Sequence, residues 1–262
     1  MNYSELKYTN RAKAKNETKL SYLGGVSLSS KIAKSEVLNT LTYVLYLAPA
    51  DLSGFNVCPK ATSECKALCL HESGHNRIDI HKNIINNARI EKTKLFFQNR
   101  KYFMQWLYAE IIAYKNMADS KGYKFSVRIN GTSDLSPEIF KLDNFNILQL
   151  LPNIQFYDYT KVLNRYKLLS KYKNYHLTFS YSGKNWDECQ IALKNNMNVA
   201  VVFEKHIPKK FKGFTVINGD VTDLRYMDKK NVIVGLKYKK VRINNIENSE
   251  FVVKTLDPDC KY

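Results

Sequence analysis

Cys58, Cys65 and Cys69 fall within twelve residues of a chain that holds five cysteines. Their pattern is Cys-x6-Cys-x3-Cys, in the segment Cys58-Pro59-Lys60-Ala61-Thr62-Ser63-Glu64-Cys65-Lys66-Ala67-Leu68-Cys69. Three thiols on one short loop make a poor disulfide set, because one is always left over. As thiolates they suit a metal ion or an iron–sulfur cluster. A closed zinc site needs four ligands, and the fourth would come from His71, His75, His81, Cys189 or Cys260. A [4Fe–4S] cluster on three cysteines instead leaves one iron open to a substrate or cofactor. Cys189, between Trp186 and Ile191 in a helical span, reads as a small buried hydrophobe, and Cys260 reads as idle.

The cysteine loop follows a strand-like run at residues 42–48 and extends to about Gly74. Residues 78–119 then carry Ile80, Ile84, Ala88, Leu95, Phe96, Phe103, Leu107 and Ile111 at three- and four-residue steps, which predicts helix with one break near Asn99. Beyond Gly122 the pattern alternates. Apolar strand-like runs at 124–129, 154–157, 176–180, 198–203, 214–217 and 232–236 are interleaved with helix-like spans at 161–171 and 186–195. Apolar strands alternating with helices predict a parallel sheet with helices outside. The count of seven strands suits an α/β fold of the TIM type, a full or partial (β/α) barrel, with the cysteine loop after its first strand. Residues 1–35, polar, lysine-bearing and interrupted by Gly24-Gly25, read as a basic N-terminal arm, and 36–262 as one barrel-like domain.

Polar residues follow nearly every predicted strand: Arg128, Asn130, Ser133 and Asp134 after one, Asp158 and Lys161 after the next, then Ser180, then Asp220, Asp223 and Arg225. In a parallel barrel the carboxyl ends of the strands share one face, where active sites collect. The expectation is that these segments surround one pocket with the cysteine loop at its rim. The same residue types also cap helices and form turns, so the grouping, not any single residue, carries the expectation.

Composition narrows the classes. No run of eighteen apolar residues occurs and the start lacks an apolar signal core, so the expected place is the cytoplasm, with no membrane partner. Reduced thiols there favour metal binding or redox chemistry. With 44% hydrophobic residues the chain can bury a core without help from a metal. Basic residues outnumber acidic ones 41 to 24, giving +17, a charge that attracts polyanions. Basic stretches at 205–212 and 237–242, with eighteen tyrosines available for stacking, make nucleic acid or a nucleotide a candidate partner. Oligomeric state is not legible.

Five blocks in order, Cys58-Pro59-x-Ala61-x3-Cys65-x3-Cys69, Arg128-x-Asn130-Gly131-Thr132-Ser133-Asp134, Tyr157-Asp158-Tyr159-Thr160-Lys161, Gly219-Asp220-x2-Asp223-x-Arg225 and Gly235-Leu236-Lys237, resemble the phage "gene product 88" family. The resemblance implies a phage or plasmid origin and no defined activity. More distantly, a cysteine loop after the first strand of a (β/α) barrel resembles the radical S-adenosylmethionine superfamily, whose loop is Cys-x3-Cys-x2-Cys. That resemblance implies a [4Fe–4S] cluster on Cys58, Cys65 and Cys69, with S-adenosylmethionine as a small-molecule cofactor. Arg128, Asn130, Ser133, Asp134 and Ser180 are then expected on the cofactor side, and Asp158, Lys161, Asp220, Asp223 and Arg225 on the substrate side. The alternative is a zinc-stabilised nucleic-acid-binding protein of phage or plasmid replication.

Overall fold

Val199-Ala200-Val201-Val202-Phe203 has no polar side chain, and such a run is stable as a strand only where both faces are covered. In the computed structural model, which describes residues 16–26, 38–69, 79–239 and 249–255, this run is a strand paired in parallel on both edges. In chain order the elements are β1 (Gly24–Gly25), β2 (Thr40–Leu45), α1 (Ser63–Ala67), α2 (Asp79–Gln98), α3 (Arg100–Ser120), β3 (Lys124–Arg128), β4 (Lys141–Leu142), β5 (Phe145–Asn146), α4 (Ile147–Leu150) and β6 (Gln155–Thr160). There follow α5 (Leu168–Lys171), β7 (Tyr175–Ser180), α6 (Trp186–Lys194), β8 (Val199–Phe203), β9 (Lys210–Phe211), β10 (Phe214–Asn218), β11 (Ile233–Lys237) and β12 (Val252–Val253). The protein has a mixed α/β fold with a large, mostly parallel sheet, and no pairing closes the strand order into a ring among the described residues.

The described residues fall into two units. The first holds those up to Pro59 and Asp79–Phe156, with the order β1-β2-β3-β6. The strand β6 is divided, its last four residues belonging to the second unit. Thr40 to Val44 of β2 pair in parallel with Lys124 to Arg128 of β3, and Thr42 Oγ1 lies 2.9 Å from Ser126 Oγ across that pair. The expected helical break falls at Asn99, whose side chain accepts the N–H of Tyr102 and so caps α3. The buried stripe of α3, including Phe103, Trp106, Leu107 and Ile111, packs on β2 and β3. A small cavity lined by apolar residues such as Leu45, Phe96, Leu107 and Phe140 lies within this unit.

Residues 16–26 lie in the span read as an arm, and they include β1, antiparallel to β2 with Gly24 opposite Leu45. What holds two glycines as a strand is Glu110 of α3. Its buried carboxylate accepts the N–H of Leu23 (3.0 Å), the N–H of Gly24 (2.9 Å) and the hydroxyl of Tyr43 (2.6 Å). Lys92, also buried, places its ammonium 4.7 Å from the centre of the Tyr22 ring, and burial lowers its pKa to about 8 against the favourable charge of Glu110.

The second unit holds residues 60–69 and those from Tyr157 onward, with the order β6-β7-β8-β11-β10-β9. Here β7 pairs with the first half of β8 (Phe179 opposite Val199, Ser180 opposite Ala200). Where β7 ends, β12 pairs with the second half (Val252 opposite Val202, Val253 opposite Phe203). The expected helix at 161–171 is shorter than its pattern suggested: a 3-10 turn at Leu163–Lys167 leads into the single turn of α5. Arg165 turns inward there, donating to the Tyr175 hydroxyl at 2.7 Å, which places a charged side chain on the buried face of the turn. Cys189 is fully buried in α6, as its apolar neighbours implied, and burial pushes its thiol up to about 12.

Candidate cysteine site

In the first unit Cys58 closes a loop sewn to the segment after β3. The Val57 carbonyl accepts the N–H of Asp134, the Leu47 carbonyl accepts the hydroxyl of Thr132 at 2.6 Å, and the Leu45 carbonyl accepts the N–H of Gly131 at 3.0 Å. These bonds place the half-buried Cys58 thiol 3.8 Å from the Thr132 carbonyl, at the carboxyl end of β3. Gly131 is required by the closeness of the two segments. A Cβ there would lie 2.7 Å from both the Leu45 carbonyl oxygen and the Tyr46 ring. Gly131→Ala is therefore expected to cost about 2 kcal/mol, read as a lowered denaturation midpoint.

The same segment shows what Asn130 does. Its buried amide oxygen accepts the Leu135 N–H (2.9 Å) and the Ser133 hydroxyl (2.8 Å), and its amide N–H donates to the Leu135 carbonyl (3.0 Å). Asn130 and Ser133, both expected on the cofactor side, are thus bonded to each other, and Asn130 clamps the turn. Arg128 ends β3 opposite Val44.

In the second unit the cysteine-bearing helix α1 is short but well fixed. Thr62 caps it by accepting the Cys65 N–H at 3.1 Å. Glu64, in its first turn, accepts the Ser249 hydroxyl (2.8 Å) and the Phe251 N–H (2.9 Å), and that N–H holds the Glu64 carboxyl below the usual carboxylate range. Leu68 packs on Val252, with Val202, Tyr238 and Phe251 around them. Beside this helix Lys161, the first residue after β6, donates to the Cys65 sulfur at 3.3 Å, with its ammonium 5.6 Å from the centre of the Phe251 ring. Cys65 and Cys69 are half-buried. So Cys65 stands beside the residue that follows β6.

The other expected substrate-side residues lie in hydrogen-bonded networks within the fold. Asp158 is fully buried and accepts the Tyr175 hydroxyl at 2.9 Å, in a chain continued by Arg165. Asp220 accepts the Lys237 N–H at 2.8 Å and so ties off the end of β11. Asp223 and Arg225 lie together in the crossing from β10 to β11. The Asp223 carboxylate accepts the Tyr157 hydroxyl at 3.3 Å, while the Arg225 guanidinium donates to the Thr222 carbonyl and lies 3.2 Å from the Asp228 carboxylate. Both are buried, and Gly219 leaves the room that Arg225 fills, since a Cβ there would lie 2.7 Å from Nη1. These ties hold the crossing between β10 and β11. Ser180 is half-buried at the end of β7, its carbonyl accepting from Asn185.

Among the described residues no group of three or more His, Cys, Asp or Glu side chains is gathered to hold a metal ion. His71, His75 and Cys260, named as possible fourth ligands, lie outside the described residues, as does the basic stretch beyond residue 239. Sequence reasoning missed Glu64 and its partners Ser249 and Phe251. The Thr62-Ser63-Glu64 start was a legible cap, but its distant partners left no signal. No described helix is long and apolar enough to cross a membrane.

The profile of a family described as Gene product 88 matches residues 4–255. No curated protein and no solved structure matches the chain.

Proposed function

The chain belongs to the Gene product 88 family, and we propose that it is an iron–sulfur protein whose Cys58, Cys65 and Cys69 hold a [4Fe–4S] cluster on a partial (β/α)-barrel scaffold. The observation that supports this reading is the Lys161–Cys65 contact at the carboxyl end of β6. A sulfur used as a ligand is commonly held by an outer hydrogen bond of this kind. Loading is expected to be coupled to local folding of the cysteine segment, as metal binding commonly is. The cluster would supply electron transfer and, at an iron without a cysteine, a place for a small molecule. S-adenosylmethionine is the first such molecule to test. Lys161 would orient Cys65, and Glu64 would hold the helix that carries it.

Metal analysis after anaerobic purification tests the reading. About four irons per chain are expected, with a paramagnetic signal on reduction that shifts when S-adenosylmethionine is added. Cys65→Ala is expected to leave less than a quarter of that iron. An unshifted signal would retain the cluster and remove the cofactor, whereas one zinc per chain and no iron would overturn the proposal.

A further inference from the structure

The second unit ends, at the far edge of its strand order, in a hairpin. Phe211 of β9 pairs with Phe214 of β10, leaving Lys212-Gly213 as a two-residue turn with both φ values positive, 47° and 85°. That is the turn geometry that suits the twist of paired strands. Alternation buries Phe211 and turns Lys210 and Lys212 to solvent. Lys205 and Lys209 are exposed too, no acidic residue occurs between Glu204 and Asp220, and none of these four lysines is ion-paired among the described residues.

Beside these cations lies an aromatic shelf. Trp186, half-buried at the start of α6, meets Phe211 at 5.6 Å and 89°, Phe214 at 6.0 Å and Tyr181 at 6.2 Å, all angled ring contacts. Its own face lies under Lys212, whose ammonium is 5.2 Å from the ring centre. Lysines on an edge strand also discourage strand pairing between molecules. Edge protection needs no indole face capped by a flexible cation, which is what an unpaired base would take while Lys212 moves to its phosphate.

We propose that the β9–β10 hairpin and the first residue of α6 bind single-stranded nucleic acid, with Lys205, Lys209, Lys210 and Lys212 on phosphates and Trp186 as the stacking platform. Asp187 and Glu188, the next two residues, are exposed and acidic, and their charge disfavours a phosphate path along that turn. This surface is independent of the cysteine site.

The test is binding of a labelled oligothymidylate of about 20 nucleotides to the full chain between about 50 and 200 mM salt, followed by anisotropy and by tryptophan emission. Trp106 is only 2% exposed, so a change in emission reports Trp186. The unaltered chain is expected to bind, with its emission quenched. The triple variant Lys209→Gln, Lys210→Gln, Lys212→Gln is expected to bind at least about tenfold more weakly, with a salt slope smaller by about 2. These side chains are exposed, so its melting curve should be unchanged, which separates lost binding from lost folding. Inorganic polyphosphate is expected to compete without quenching. The proposal is overturned if the triple variant binds like the unaltered chain, if polyphosphate quenches equally, or if a duplex of the same length binds and quenches as well as the single strand.

Discussion

Replacing Glu110 with glutamine is expected to lower the free energy of unfolding by about 3 kcal/mol. The carboxylate is 3% exposed and accepts two backbone N–H groups and a phenol. Glutamine keeps the shape but turns an N–H toward groups that are themselves donors. At least one buried donor then loses its acceptor, and Lys92 loses the negative charge that offsets its burial. Tyr43, whose hydroxyl is held protonated by burial and by Glu110, loses its partner as well. The measurement is the denaturant midpoint, with Glu91→Gln as a control, since Glu91 makes an exposed bond to Lys94. A loss below about 1 kcal/mol would show that residues 23–25 are held by something else. Hydrogen exchange should localise the effect, with the N–H groups of Leu23 and Gly24 losing protection first.

The second large effect concerns acid. His176 of β7 is kept neutral down to about pH 4, first by burial and then by the positive charges of Arg225 and Lys230. In the unfolded chain the same imidazole takes up its proton near pH 6.5. Between those values the unfolded state binds a proton that the folded state refuses. Stability is therefore full above about 6.5 and falls as pH drops toward 4, by about 3 kcal/mol across the window. The loss in Glu64, whose carboxyl is held low, comes at more acid pH and with the same sign. His176→Gln should flatten the limb between pH 6.5 and 4 and leave the more acid limb in place. An imidazole proton resonance of His176 that titrates near pH 6.5 in the folded chain would contradict this account.

Much of the fold was legible because parallel strands announce themselves as apolar runs. Val199–Phe203 and Ile233–Lys237 fall where the pattern put them, and the cap at Asn99 fixes the helix break. Elements with too few residues to show a period were not legible. The β4–β5 hairpin has two residues a side and is marked only by its turn, Asp143-Asn144, at positive φ. Gly24–Gly25 runs against strand propensity and exists because Glu110 grips it. That grip left one trace, an acid three residues after Leu107 on the apolar stripe of α3. Which way a polar residue near a strand end points was not legible either. Successive residues of a strand face opposite ways, so Asp158 and Tyr157 on β6 enter different networks, one through Tyr175 and the other through Asp223. Lys161, beyond the last strand residue, reaches Cys65.

The tie between Glu64 and Phe251 joins residues 187 positions apart. A ribosome adding about 5–20 residues each second delivers Phe251 roughly ten to forty seconds after Glu64. For that whole interval the nascent chain carries Cys65 on a helix without its tie to Phe251. Any machinery that inserts a metal could reach Cys65 and Cys69 then, and would find them pinned once β12 has closed over β8. Were a metal to be loaded on these thiols, assembly order would then matter as much as affinity.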